Sequence, residues 1–115
     1  MGESGIWNTK KVLAEISLFP TDLSGRSSGI TSGYRPNHNF GGPDNHLMRM
    51  GSITVQGDSW INPGECKEAE VLFIFPEGYE IVLHEGLKWR IQEGDRHVGN
   101  GKVKRVLDDG APLVN

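Results

Sequence analysis

Four histidines, fifteen carboxylates and one cysteine are the groups in this 115-residue chain able to bind a metal or move a proton, and their spacing decides whether they do either. His38 and His46 flank a Gly-Gly-Pro-Asp-Asn turn that contains Asp44, so a hairpin there sets two imidazoles across from each other. That spacing fits no structural zinc pattern, and surface histidines are the simpler reading. Glu93, Asp95 and His97 offer a carboxylate and imidazole set, but no nucleophile and no oxyanion donors accompany them. Cys66, the only cysteine, lies between Glu65 and Lys67 with no base partner, and it excludes an intrachain disulfide or a Cys-pair zinc site. The expectation is a protein that is not an enzyme and holds neither metal nor cofactor.

Binding chemistry is better represented. The net charge is −3, but its distribution is uneven. Residues 57–85 carry seven acids against Lys67, residues 86–107 carry six bases against Glu93 and Asp95, and residues 24–50 carry three arginines against Asp44. If the two basic segments are neighbours in the fold, one face attracts anions while the molecule as a whole stays acidic. Arg26 with the hydroxyls of Ser27 and Ser28 suits a phosphate or ribose contact, with a solvated turn as the alternative. Lys102, Lys104 and Arg105 extend such a footprint, or form the wet face of a strand.

These groups must be positioned by strands. With 36% hydrophobic and 23% charged residues the composition is globular, and its 16 glycines point to frequent turns. Val12, Ala14, Ile16 and Leu18 recur at every second position, as do Leu87, Trp89 and Ile91, with Lys88, Arg90 and Gln92 on the opposite face. The pattern predicts strands over about 12–19, 34–40, 47–56, 67–75, 87–92 and 96–107, with a long loop over 21–33. Pro36 confines the second strand to an edge or bulge. No helical period intervenes, so the expected fold is all-β, a small six-stranded antiparallel barrel or sandwich over residues 10–107. Residues 1–9 and 108–115 read as loosely held tails. The longest uncharged apolar run, Val71 to Pro76, is far short of the ~20 residues of a membrane span, and no signal-peptide pattern opens the chain. A cytoplasmic location without membrane contact is expected.

Several strings, in order, carry a family resemblance. Gly25-Arg26-Ser27-Ser28-Gly29, Gly33-Tyr34-Arg35-Pro36, Asn62-Pro63-Gly64-Glu65 and the long run from Glu85 through Trp89, Glu93, Gly94 and Arg96 to Val103 resemble the third, C-terminal domain of elongation factor Tu. The resemblance spans about residues 10–107 and implies a closed six-stranded antiparallel β-barrel. It further implies that the family's tRNA-facing positions fall on Arg26, Ser27, Ser28 and Gly29, on Asn37, and on Glu93 and Gly94 before Arg96. No G-x-x-x-x-G-K-[S/T] string occurs, so GTP is not expected to bind. Extra residues lie between Phe40 and Gly51, and Met50 stands where the family has a contacting threonine. The implied partner is tRNA or a translation factor.

A different class of function has its own signal. In Val71–Phe75 both faces are apolar, with Val71, Phe73 and Phe75 on one and Leu72 and Ile74 on the other. A barrel has one core-facing side, so Leu72 and Ile74 meet solvent, a protein partner or a second copy of the chain. The alternative is therefore a protein-interaction module, for example of the immunity type, in which that face and the acidic 57–85 segment are the working surface.

Overall fold

Alternation of small and branched apolar residues turns one face of each strand inward. In the computed structural model, which describes residues 7–113, β1 (Trp7–Leu18) buries Val12, Ala14, Ile16 and Leu18 at 3% exposure or less. β4 (Cys66–Pro76) does the same with Ala69, Val71, Phe73 and Phe75. β2 (Asn37–Asn39), β3 (Met48–Val55), β5 (Lys88–Glu93) and β6 (Arg96–Leu113) complete a closed antiparallel barrel of order β1-β4-β3-β2-β5-β6, with β6 returning to β1. The expected six-stranded antiparallel barrel is the observed one. Closure leaves no edge strand unpaired.

The barrel is filled by aromatic rings. Phe73 packs against Phe75, Phe40 and Trp89, and burying a ring of this size is worth on the order of 2–3 kcal/mol. The Trp89 indole lies over Gly101 of the neighbouring strand, where a Cβ would sit 2.2 Å from the ring. Glycine at this inward position is what admits the indole.

The structure departs from these expectations in four places. The second strand is three residues long instead of spanning 34–40, because Pro36 has no N–H to donate; Tyr34 joins the sheet only through an isolated bridge to Ile53. The 21–33 loop contains one helical turn, α1 (Thr21–Ser24), ended by Gly25 at φ 75°. Residues 7–9 and 108–113, expected as tails, are strand: Trp7 pairs with Leu113, and Asp109 and Gly110 are absorbed as a bulge, with Gly110 at φ 116°. Residues 1–6 and 114–115 lie outside the described residues. Finally, Gln92 lies on the outer face with Arg90, as alternation places it, yet is 1% exposed, because it is covered there by its hydrogen bonds with Asn39, Arg90 and the Gly94 carbonyl. Among the described residues no helix is long and apolar enough to cross a membrane.

Candidate functional site

Three segments far apart in sequence meet at one end of the barrel. Gly25 ends α1 and lets the chain reverse, and the Arg26 amide then bonds the buried Ser24 hydroxyl at 3.1 Å. This aims the Arg26 guanidinium across the loop. Its Nε donates to the Ser28 carbonyl at 3.2 Å, its Nη2 to the Gly29 carbonyl at 3.1 Å, and its Nη1 to the Glu93 carboxylate. The same guanidinium lies over the Tyr34 ring, 5.2 Å from its centre, and the Tyr34 hydroxyl donates to Glu93 at 2.6 Å. Arg96 closes the cluster with a 2.8 Å bond to the other Glu93 oxygen.

Glu93 is thus the acceptor for three donors. Partial burial raises its pKa, but the hydrogen bonds from Tyr34 and Arg96 and the charge of Arg26 outweigh that and hold the carboxyl below its ordinary range. Burial, followed by the hydrogen bond to Glu93 and its negative charge, pushes the Tyr34 hydroxyl well above its usual value. At neutral pH the cluster therefore holds two guanidinium cations, one carboxylate and a neutral phenol. The excess positive charge resides at Arg96, whose side chain is 52% exposed against 17% for Arg26.

Beside this cluster, the Asn37 side-chain carbonyl accepts from the exposed Gly94 amide at 3.1 Å. Gln92, buried beneath, donates to the Gly94 carbonyl at 3.0 Å and accepts from Asn39 at 2.8 Å. Asn39 satisfies all its hydrogen-bonding capacity: it also donates to the Gly42 carbonyl and accepts from the Gly41 and Leu47 amides. The extra residues after Phe40 are thereby stapled to the strand that carries Asn37.

The structure thus brings together Arg26, Ser28, Gly29, Asn37, Glu93, Gly94 and Arg96, with Ser27 exposed on the same loop. Lys102, Lys104 and Arg105 do not join them. Lys102 pairs with Lys88 at the opposite end of β5 from the Glu93–Arg96 turn, roughly 17 Å away at ~3.4 Å per residue. Lys104 is bound to Glu68 at 2.6 Å, and Arg105 lies opposite Leu13. Tyr34, which was not among the expected contact residues, also belongs to the cluster; its place in the string Gly33-Tyr34-Arg35-Pro36 was the available signal.

The histidines are not placed as their spacing suggests. His38 is fully buried rather than a surface residue, between Trp89 and the Gly51 carbonyl, while His46 is exposed and bonds the Pro43 carbonyl. His97 turns to Asn100 at 2.7 Å, away from Glu93, and Cys66 is exposed.

Leu72 and Ile74 are half-buried. Leu72 is flanked by Lys11 and Ser52 in the sheet. Ile74 helps wall a mostly apolar groove of about 260 Å³ with Trp7, Met48, Met50, Pro76 and Tyr79, to which Arg49 adds one charge. Met50 and Tyr79 there are 54% and 64% exposed.

The fold and the site define a closed antiparallel barrel with an arginine, carboxylate and tyrosine cluster at one end. No protein-family model matches the chain.

Proposed function

We propose that the protein is a noncatalytic, cytoplasmic binding module that holds the sugar–phosphate backbone of a folded RNA of the tRNA class, as the resemblance to the third domain of elongation factor Tu implies. The observation that carries the reading is convergence. The positions implied by that resemblance come from three separate segments, and they meet in one surface cluster through hydrogen bonds that span up to 67 residues of sequence. Arg96 supplies the phosphate contact, since half of its side chain faces solvent. Glu93 and the Asn37 amide accept from ribose 2′-hydroxyls, and the exposed Gly94 turn lets a backbone approach closely. Such contacts recognise shape and the 2′-hydroxyl without reading bases.

Binding of purified protein to total tRNA over a salt series, with duplex DNA as the control, tests this. The expected result is preference for tRNA and a log–log salt slope of roughly −0.7 to −0.9 per neutralised phosphate. Arg96→Ala should weaken binding and reduce the slope by about one phosphate. Absence of binding at low salt overturns the reading.

A second reading rests on the apolar groove at Ile74. If the working surface is there, the partner is a protein, and Ile74→Asp abolishes its binding while Arg96→Ala leaves it intact.

A further inference from the structure

On the outer face of the sheet, β1, β6 and β5 present a small grid of polar side chains. Glu15, Lys102 and Lys88 form one row across the three strands, and Ser17, Asn100 and Arg90 form the next. Like charges directly opposite each other in neighbouring strands destabilise a sheet, and Lys88 and Lys102 are direct partners. Arg90 adds a third cation two residues along the same face. Among the described residues Glu15 is the only carboxylate lining this surface.

Lys10, Lys11, Arg26, Lys67, Arg96 and Lys104 form ion pairs; among the described residues Lys88, Arg90 and Lys102 form none, and neither do Arg35, Arg49 and Arg105, but only these three cluster on one face. Arg90 is nonetheless held in place. Its Nε donates at 3.1 Å to Oε1 of the buried Gln92, itself fixed by Asn39, and among the described residues both terminal nitrogens of the fork have no partner. The Phe40-Gly41-Gly42 segment rises beside the grid, and together they enclose a groove of about 610 Å³. That volume lies within the ordinary range for small-ligand sites.

We infer that this groove is a phosphate-binding site, separate from the Arg26–Glu93–Arg96 cluster and independent of the reading of that cluster. The Arg90 fork takes two phosphate oxygens, Lys88 and Lys102 neutralise the charge, and Ser17 and Asn100 donate hydrogen bonds. A bound phosphate also relieves the Lys88–Lys102 repulsion, which gives the anion a stabilising effect on the fold. The phosphate is carried either by a small molecule or by the backbone of a nucleic acid.

The test is titration of the full chain with pyrophosphate at constant ionic strength, followed by backbone amide NMR and by thermal unfolding. Saturable shifts confined to residues 15–17, 88–90 and 100–102 and the 40–42 segment are expected, together with a rise in Tm at saturation. Arg90→Gln and Lys88→Gln should each weaken pyrophosphate at least tenfold and remove the rise in Tm, while Arg96→Ala changes neither. A short single-stranded RNA without terminal phosphates identifies the source. Displacement of pyrophosphate by that RNA assigns the site to a nucleic-acid backbone, and failure to displace assigns it to a small phosphorylated ligand. Non-saturable shifts spread over all the exposed cations, or unchanged affinity in both Gln variants, overturn the proposal.

Discussion

Arg26→Ala is expected to lower the free energy of unfolding by about 2–3 kcal/mol, a large effect for a loop residue. The guanidinium makes three directed hydrogen bonds from a position that is 17% exposed, and it covers one face of the Tyr34 ring. Its loss leaves the Ser28 and Gly29 carbonyls without their donor and removes one of the three groups holding the Glu93 carboxylate. A fully buried pair broken in this way costs ~3–5 kcal/mol; Glu93 keeps Arg96 and is 23% exposed, which places the expected loss at the lower end or below. Urea denaturation at pH 7 measures it. Arg26→Lys restores the charge without the fork and should recover only part of the loss. A loss under about 0.5 kcal/mol would make Arg26 a solvated turn residue whose pairing contributes nothing net.

The same pairing carries a pH signature. Because Glu93 is depressed in the folded state, its contribution is present above the ordinary carboxylate range and disappears as pH falls through the folded value. In Arg26→Ala that decline begins at a higher pH. The structural role of Arg26 also makes Arg96 the better probe of the proposed RNA contact, since removing Arg96 tests the surface with less disturbance of the loop beneath it.

Much of the barrel was legible because its strands obey a period of two over long runs. β1 and β5 follow it through Val12–Leu18 and Leu87–Ile91, and each inward position is buried or half-buried as expected. What alternation does not carry is register. Gln92 keeps its outer face but is buried there against Asn39 of β2, and the bulge at Asp109–Gly110 turns an apparent tail into the partner of Trp7. Both depend on the neighbouring strand, which a local pattern does not contain. The same limit applied to the sites. Lys88, Arg90 and Lys102 are recognisable singly as outward-facing cations, but only the pairing of β5 with β6 sets them side by side. Arg26, Asn37 and Glu93 were singled out in the sequence, and the structure brings them together, whereas the pairing of Arg26 to Glu93 was not legible, because a basic residue read in isolation has no assigned partner.

Lowering the pH from 7 to 4 is expected to cost the fold about 3 kcal/mol through His38 alone. The ring is fully buried, and the Trp89 indole donates to its Nδ1 at 3.0 Å. An indole N–H only donates, so Nδ1 carries no proton, and the proton on Nε2 is given to the Gly51 carbonyl at 3.1 Å. Gly51 is required for that approach, since a Cβ there would lie 3.1 Å from the imidazole and 2.9 Å from the Leu72 carbonyl. Protonating Nδ1 would set one N–H against another inside the barrel. Burial accordingly lowers the pKa from 6.5 to about 4, against the opposing effect of the Gly51 hydrogen bond. Between those two values the unfolded chain binds the proton and the folded one does not, so stability rises with pH across this window. The contribution is complete above about 6.5 and is lost as pH falls towards 4, with about 2 kcal/mol gone by pH 5. His38→Phe leaves the Trp89 N–H and the Gly51 carbonyl unpartnered and should be less stable than wild type at pH 7 by about 2–3 kcal/mol. It has no proton to gain, so its stability falls less between pH 7 and pH 5, and the gap to wild type narrows by about 2 kcal/mol. Urea midpoints for both proteins at the two pH values decide the matter: a parallel decline would assign the acid sensitivity to the carboxylates, and a narrowing gap assigns it to His38.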